Sequence, residues 1–185
     1  MGMRVSFNLD DDDLKHFRLI MRQARHSALH LQPEDIVARA ERSLQEVDRD
    51  KTPGFVTKRL KKLDVMIGML TDHEWRLPQK DTSRVLNALM YFADPEDLIP
   101  DNVPGIGLLD DAIMIELVVR ELQHEIEAYE DFCAFRRRHP PAKGIKAKTT
   151  DLTREKWLDR RRKALQARMR RRRNKVAQSS PGRLL

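Results

Sequence analysis

Ten basic side chains fall within 16 residues: Arg160, Arg161, Arg162, Lys163, Arg168, Arg170, Arg171, Arg172, Arg173 and Lys175. A guanidinium presents forked donors that match phosphate oxygens, and every phosphate it neutralises releases a condensed counterion, so clustered arginine is the chemistry of polyanion binding. Wound as a helix, the cluster occupies about 24 Å and crowds like charge around the whole circumference, a penalty that an outside anion removes. Trp157 is the only aromatic beside it, so contacts to the phosphate backbone or to RNA shape are expected in place of base stacking. The expected partner is nucleic acid, RNA or DNA read with low sequence specificity, ribosomal RNA included. Competing readings are an anionic membrane surface, suited to the thin apolar stripe of Trp157, Leu158, Leu165 and Met169, a protein partner, and a basic helix that stays solvated or folds back onto the chain's own carboxylates.

A second set of residues is acidic. Between Asp94 and Asp111 lie five aspartates and three prolines, Pro95, Pro100 and Pro104. Hard cations take several carboxylate oxygens at about 2.0–2.6 Å, which makes Asp97, Asp101, Asp110 and Asp111 candidate ligands and a metal-dependent enzyme a third reading. The spacing is not that of an EF-hand, and no nucleophile or base partner accompanies it. The everyday use of these residues is structural. Prolines stiffen a connection between two buried helices, Asp94 caps the turn, and Asp110 and Asp111 occupy a first helical turn, where negative charge is favoured. A non-catalytic binding module is therefore expected, with no catalytic residue and no cofactor.

The same segment carries a recognisable pattern: Tyr91, then Pro95, Asp97, Ile99, Pro100 and Asp101, then Pro104 and Gly107, then Asp110 and Asp111 opening a helix. It resembles the YkvA-like family, a domain of unknown function, over roughly residues 83–122. The resemblance implies no activity. Many members of that family carry extra hydrophobic helices that associate them with membranes; this sequence contains no such helix.

Three smaller constellations carry less. Glu121 and His124 have the Glu-x-x-His spacing of di-iron bundles, but such sites need a second pair and two further glutamates. His26 and His30 are four apart without a placed third ligand. Gly105-Ile106-Gly107 lacks both the preceding strand and the third glycine of a nucleotide fingerprint. Cys133, the single cysteine, sits between aromatic neighbours as a small buried hydrophobe and fits a reducing compartment.

The elements that must position these residues are all helical. Aliphatic residues and methionine far outnumber aromatics, which is the profile of helices packed on helices. Helical-period faces predict α-helices from Asp10 to about Arg25, from Pro33 to Val47, from Phe55 to Leu70, from Asp81 to Ala93, and from about Leu108 to Arg138, the last apolar on nearly every side between Ala112 and Val119 and hence central. The expectation is an all-α fold, a compact bundle of about five helices over residues 1–138. A flexible basic linker at 139–150 follows, then a separate arginine-rich helix and tail at 151–185. Charge divides at the same place: residues 139–185 hold sixteen Lys and Arg against three Asp and Glu, or +13, and leave −6 to residues 1–138 of a chain whose net charge is +7. Met1 to Leu9 lacks the basic and apolar regions of a signal peptide, and no apolar run approaches the roughly 20 residues of a membrane span, so a cytoplasmic location is expected.

Overall fold

Asp10 starts the first helix by the reciprocal hydrogen bonding of a capping box. Its carboxylate accepts from the Asp12 and Asp13 amides at 2.9 and 3.0 Å, and Asp13 Oδ2 accepts the Asp10 N–H at 3.0 Å. Two of the amides that a helix start leaves without partners are thereby satisfied. A computed structural model of the chain describes residues 8, 10–27, 31–47, 52–93, 109–141 and 147–179. Among them every regular element is helical: α1 (Asp11–Ser27), α2 (Pro33–Glu46), α3 (Gly54–Thr71), α4 (Gln79–Leu89), a 3-10 turn (Tyr91–Ala93), α5 (Leu109–Glu121), α6 (Gln123–Arg138) and α7 (Ala147–Ser179). No helix among the described residues is long and apolar enough to cross a membrane.

Each helix buries the face its sequence marks. Ile36, Ala40 and Leu44 of α2 pack inward behind Pro33 at the helix start, and Val56, Leu60, Leu63, Met66, Ile67 and Met69 do so from α3. No described side chain between Ala112 and Val119 is exposed, and α5 lies against α3 and α6, as its all-round apolar surface requires. The expected single helix from Leu108 to Arg138 is bent at Leu122, whose backbone has φ −98° and ψ 14°. Hydrogen bonds from Leu122 N to Val118 O and from Ile126 N to Leu122 O carry the ladder across the bend at 2.9 Å each. Neither Pro nor Gly marks the place in the sequence, and Leu122 itself is fully buried.

The largest departure from expectation is the position of the basic helix. It does not stand apart. α7 begins at Ala147, inside the stretch read as linker, and lies along α6 as that helix's most extensive partner. The two run antiparallel, because Glu127 meets Arg172, Asp131 meets Arg168 and Phe135 meets Arg161. Leu158, Leu165 and Met169 enter the same core as Phe132, Trp75 and Leu122. At about 25 cal/mol per Å² of apolar area removed from water, each of these three side chains contributes about 1.5–3 kcal/mol. Burial of that size overrides the mutual repulsion of exposed arginines, which is why the thin stripe forms a helix on the domain and not a frayed arm.

Candidate polyanion interface on the C-terminal helix

The helical period sorts the basic residues of α7 into three rows, each with a different neighbour. One row lies over α6. Arg168 pairs with Asp131, Arg172 with Glu127, and the Arg161 guanidinium stands over the Phe135 ring at 5.6 Å. The Arg168 and Arg172 pairs are about half-exposed, a setting in which an ion pair is worth about 0–1 kcal/mol and either partner exchanges readily for another ion. Both glutamate and aspartate partners belong to the acidic side of the molecule, so part of the +13 is met internally.

A second row points at the turn between α3 and α4 and at α4 itself. Arg154 Nη1 donates to Glu74 Oε1 at 2.6 Å and its Nε to the His139 carbonyl at 2.8 Å. Arg162 Nη1 donates to the Glu74 carbonyl at 2.9 Å and also pairs with Asp159. Gln166 Nε2 donates to the carbonyls of Trp75 and Arg76 at 3.1 and 3.2 Å, where the chain turns through a left-handed Arg76 at φ 49°. Two turns further on, Arg173 is buried between Asp81 and Glu125, with Glu125 at 2.7 Å; Arg84 approaches Glu125 at 3.3 Å and Glu121 at 3.6 Å. Burial works against the Arg173 charge, but the hydrogen bonds it donates to Asp81 and Glu125 outweigh it and hold the guanidinium above its ordinary range.

This row corrects the expectation that all ten basic residues are open to a polyanion: Arg162 and Arg173 are 9% and 7% exposed and serve the fold. Their spacing carried the signal. Arg162, Gln166 and Arg173 recur at helical period with Leu158, Leu165 and Met169, so they share the buried face. Read by charge alone they look like ligand-binding arginines; read by position they are the rim of the core.

Glu74 makes this docking sensitive to acid. The hydrogen bond from Arg154, opposed by partial burial and aided by Arg136, holds its carboxyl below the usual 4.5. A carboxyl with a folded-state pKa below its unfolded value contributes stability that is complete above the unfolded value and is lost as pH falls through the folded one. Acidification below about pH 4.5 is thus expected to loosen α7, and Arg154→Ala to flatten the acid limb of a thermal-melt series. An acid limb unchanged by that substitution would exclude Glu74 as its source.

The third row faces outward. Lys156, Arg160, Lys163, Arg170, Arg171 and Lys175 are exposed along it, with Ala164, Ala167 and Asn174 between them. Lys163 pairs with Asp159 at 2.8 Å, whereas Arg160, Arg170 and Arg171 make no ion pair among the described residues. From Lys156 to Lys175 the row extends about 28 Å at about 1.5 Å per residue. It lies on one continuous helix held on a folded support. Lys156 was not among the ten residues singled out by charge density; it joins them because the outer face of α7 continues through that position.

The acidic loop is placed less fully. Tyr91 is buried in the 3-10 turn, edge-on to Phe92 with ring centroids 4.9 Å apart. Pro95, Asp97, Ile99, Pro100, Asp101, Pro104 and Gly107 lie outside the described residues, as does the Gly105-Ile106-Gly107 run. Asp110 and Asp111 fall in the first turn of α5, with their side chains outside the description. His30 is likewise outside it, and His26 is exposed. Glu121 and His124 stand on either side of the Leu122 bend, and Glu121 turns to Arg84. No group of three or more His, Cys, Asp or Glu arranged for a metal occurs among the described residues. Cys133 is partly buried against the core, with the Arg136 guanidinium 3.7 Å from its sulfur.

Comparison with known proteins bears on the loop and not on the basic row. Residues 84–117 match the family described as "Protein of unknown function (DUF1232)". A 43-residue stretch is 37% identical to the "Uncharacterized membrane protein YkvA" of Bacillus subtilis (strain 168), covering 23% of this chain and 41% of that protein. No solved structure matches the chain. The stretch from the end of α4 through the 3-10 turn into α5 is accordingly a YkvA-like segment, a domain of unknown function.

Proposed function

We propose that the chain is a non-catalytic module that binds RNA or DNA, with little sequence selectivity, along the outward row of α7. The observation that carries the reading is the row itself: Arg160, Arg170 and Arg171 are exposed on a docked helix and lack an ion partner among the described residues, while neighbouring arginines are engaged below. A helix held in place by its other two faces has already lost its conformational freedom, so a phosphate backbone meets preorganised donors. The binding set is narrower than charge density implies. It comprises Arg160, Lys163, Arg170 and Arg171, with Lys156 and Lys175 at its ends, and Arg168 and Arg172 on its shoulder able to exchange carboxylate for phosphate. Nucleic acid as partner fits a cytoplasmic place of action.

A membrane surface is the second reading, favoured by the exposure of Leu152, Trp157 and Val176 on α7. These three are scattered toward the helix ends, and the centre of the outward row offers only alanine between its charges. Interfacial insertion needs a continuous apolar face, so the phosphate backbone is the better fit.

The test is fluorescence anisotropy of labelled RNA and DNA oligomers of unrelated sequence across a salt series. With about four phosphates neutralised, the slope of log K against log salt is expected near −3, which is roughly 50-fold weaker binding between 50 and 200 mM salt. A slope near zero, or a preference for one sequence far above the others, would overturn the reading. Truncation at Pro140 is a poor control, because it strips Leu158, Leu165 and Met169 from the core; charge-changing substitutions in the outward row leave the core intact.

A further inference from the structure

At the N-terminal end of the outward row, α6 and α7 together assemble an aromatic group that the sequence of α7 alone does not contain. Phe135 and His139 stack with centroids 4.2 Å apart, and Trp157 meets His139 in a T-shaped contact at 5.6 Å. The Arg161 guanidinium lies over the Phe135 ring, and the His139 ring is fixed by a 2.8 Å hydrogen-bond contact between Nδ1 and the Phe135 carbonyl. Trp157 remains 49% exposed. Arg160 and Arg161 follow it by three and four residues, so their side chains share its side of the helix. Trp157 thus keeps about half its surface in water beside Arg160, which has no ion partner among the described residues.

We infer that Trp157 is a base-stacking platform and that the nucleic acid taken by α7 is single-stranded. Single-strand binding combines a cationic track for the backbone with aromatic faces for the bases, and tolerates sequence because every base has a π face. In a duplex those faces are already covered by neighbouring pairs, so a lone half-exposed indole gains nothing from it. The outward row supplies the track, and Trp157 supplies one stacking face at its end, steadied from behind by His139. Charge complementarity selects an anion; the indole selects one with unpaired rings. This inference rests on the nucleic-acid reading of the outward row.

Tryptophan emission provides the test, since the chain has two tryptophans and the other, Trp75, is fully buried. The intact chain is titrated with a single-stranded uridine-rich RNA, a duplex of the same length, and a strand of abasic residues, with anisotropy recording binding in parallel. The single strand is expected to quench Trp157 and to bind at least about 10-fold tighter than the abasic strand and the duplex. Trp157→Ala is expected to weaken single-strand binding about 5- to 150-fold, the range of one stacked base, and to leave duplex binding within about 2-fold. Circular dichroism confirms that the variant is folded. Equal binding of all three oligomers without quenching overturns the stacking role and leaves the cationic row standing. No binding in anisotropy removes both, and a blue shift of Trp157 on anionic vesicles in that case assigns the surface to lipid.

Discussion

Arg173→Met is expected to lower stability by about 3–5 kcal/mol, because it leaves Asp81 and Glu125, which are 1% and 0% exposed, without their shared cation. Arg84 stays within 3.3 Å of Glu125 but carries one charge against Glu125 and the neighbouring Glu121. One oxygen of Glu125 is already buried without a hydrogen-bond partner, so the site has no slack to absorb a second unpaired carboxylate. For a chain of 185 residues the loss corresponds to a fall in Tm of about 10 °C. Adding Asp81→Asn and Glu125→Gln to the same variant is expected to restore most of it, since a neutral, apolar-flanked triad of similar volume costs far less than a broken ionic one. Urea or thermal unfolding of the three proteins measures this. A loss under about 1 kcal/mol for Arg173→Met would mean that water reaches the triad and that α7 is not anchored there.

Reversing charge at four outward positions, Arg160→Glu, Lys163→Glu, Arg170→Glu and Arg171→Glu, is expected to abolish oligonucleotide binding at low salt, a loss of more than about 100-fold. None of the four touches the core, and three have no ion partner among the described residues, so the melting temperature is expected to hold within about 2 °C of the parent. The combination separates ligand binding from folding: the Arg173 variant loses stability, the outward variant loses the ligand. Arg168→Ala with Arg172→Ala is expected to fall between them, with binding weakened a few-fold, because in the proposed interface these two would exchange a carboxylate for a phosphate. If the fourfold reversal binds as well as the parent, the outward row is not the interface, whatever the salt dependence.

Both expectations follow from one geometric fact. An α-helix with charge on every side presents about a third of its circumference to each neighbour, so docking α7 assigns its arginines to different tasks. Arg162 and Arg173 meet buried acceptors. Arg168 and Arg172 meet half-exposed acids. Arg160, Arg170 and Arg171 face outward without an ion partner among the described residues. The domain's surplus negative charge does not cancel the tail's positive charge as a whole; it cancels the side that faces it.

The helices themselves were legible in the sequence. Asp10 to Asp13 before a period-3.6 apolar face announced α1, Pro33 with its acids announced α2, and the unbroken apolar character of Ala112 to Val119 announced the central helix, because local capping and periodicity decide these features. So was the segment around Tyr91 to Asp111, whose prolines and aspartates are distinctive enough to be matched without any structure. The bend at Leu122 was not legible. It involves no Pro or Gly and falls at a fully buried leucine, so no local residue type announces it.

The basic helix divides most sharply between what could and could not be read. Composition determined that it is cationic, and the recurrence of Leu158, Leu165 and Met169 determined that it has one apolar edge. Whether that edge would find a groove depended on α6 and the α3–α4 turn presenting Glu74, Asp81, Glu125, Asp131 and the Trp75 and Arg76 carbonyls at the right separation. Those partners lie 37 to 92 residues away in sequence, and electrostatic pairing at that range depends on three-dimensional placement that periodicity does not encode. The meeting of Phe135, His139 and Trp157 is of the same kind. Local sequence fixed the helices, their caps and their charge, since these depend on neighbours within a turn or two; tertiary structure decided which arginines are buried, which are offered outward, and that an aromatic group stands at the end of the row, since burial and adjacency are properties of packed surfaces.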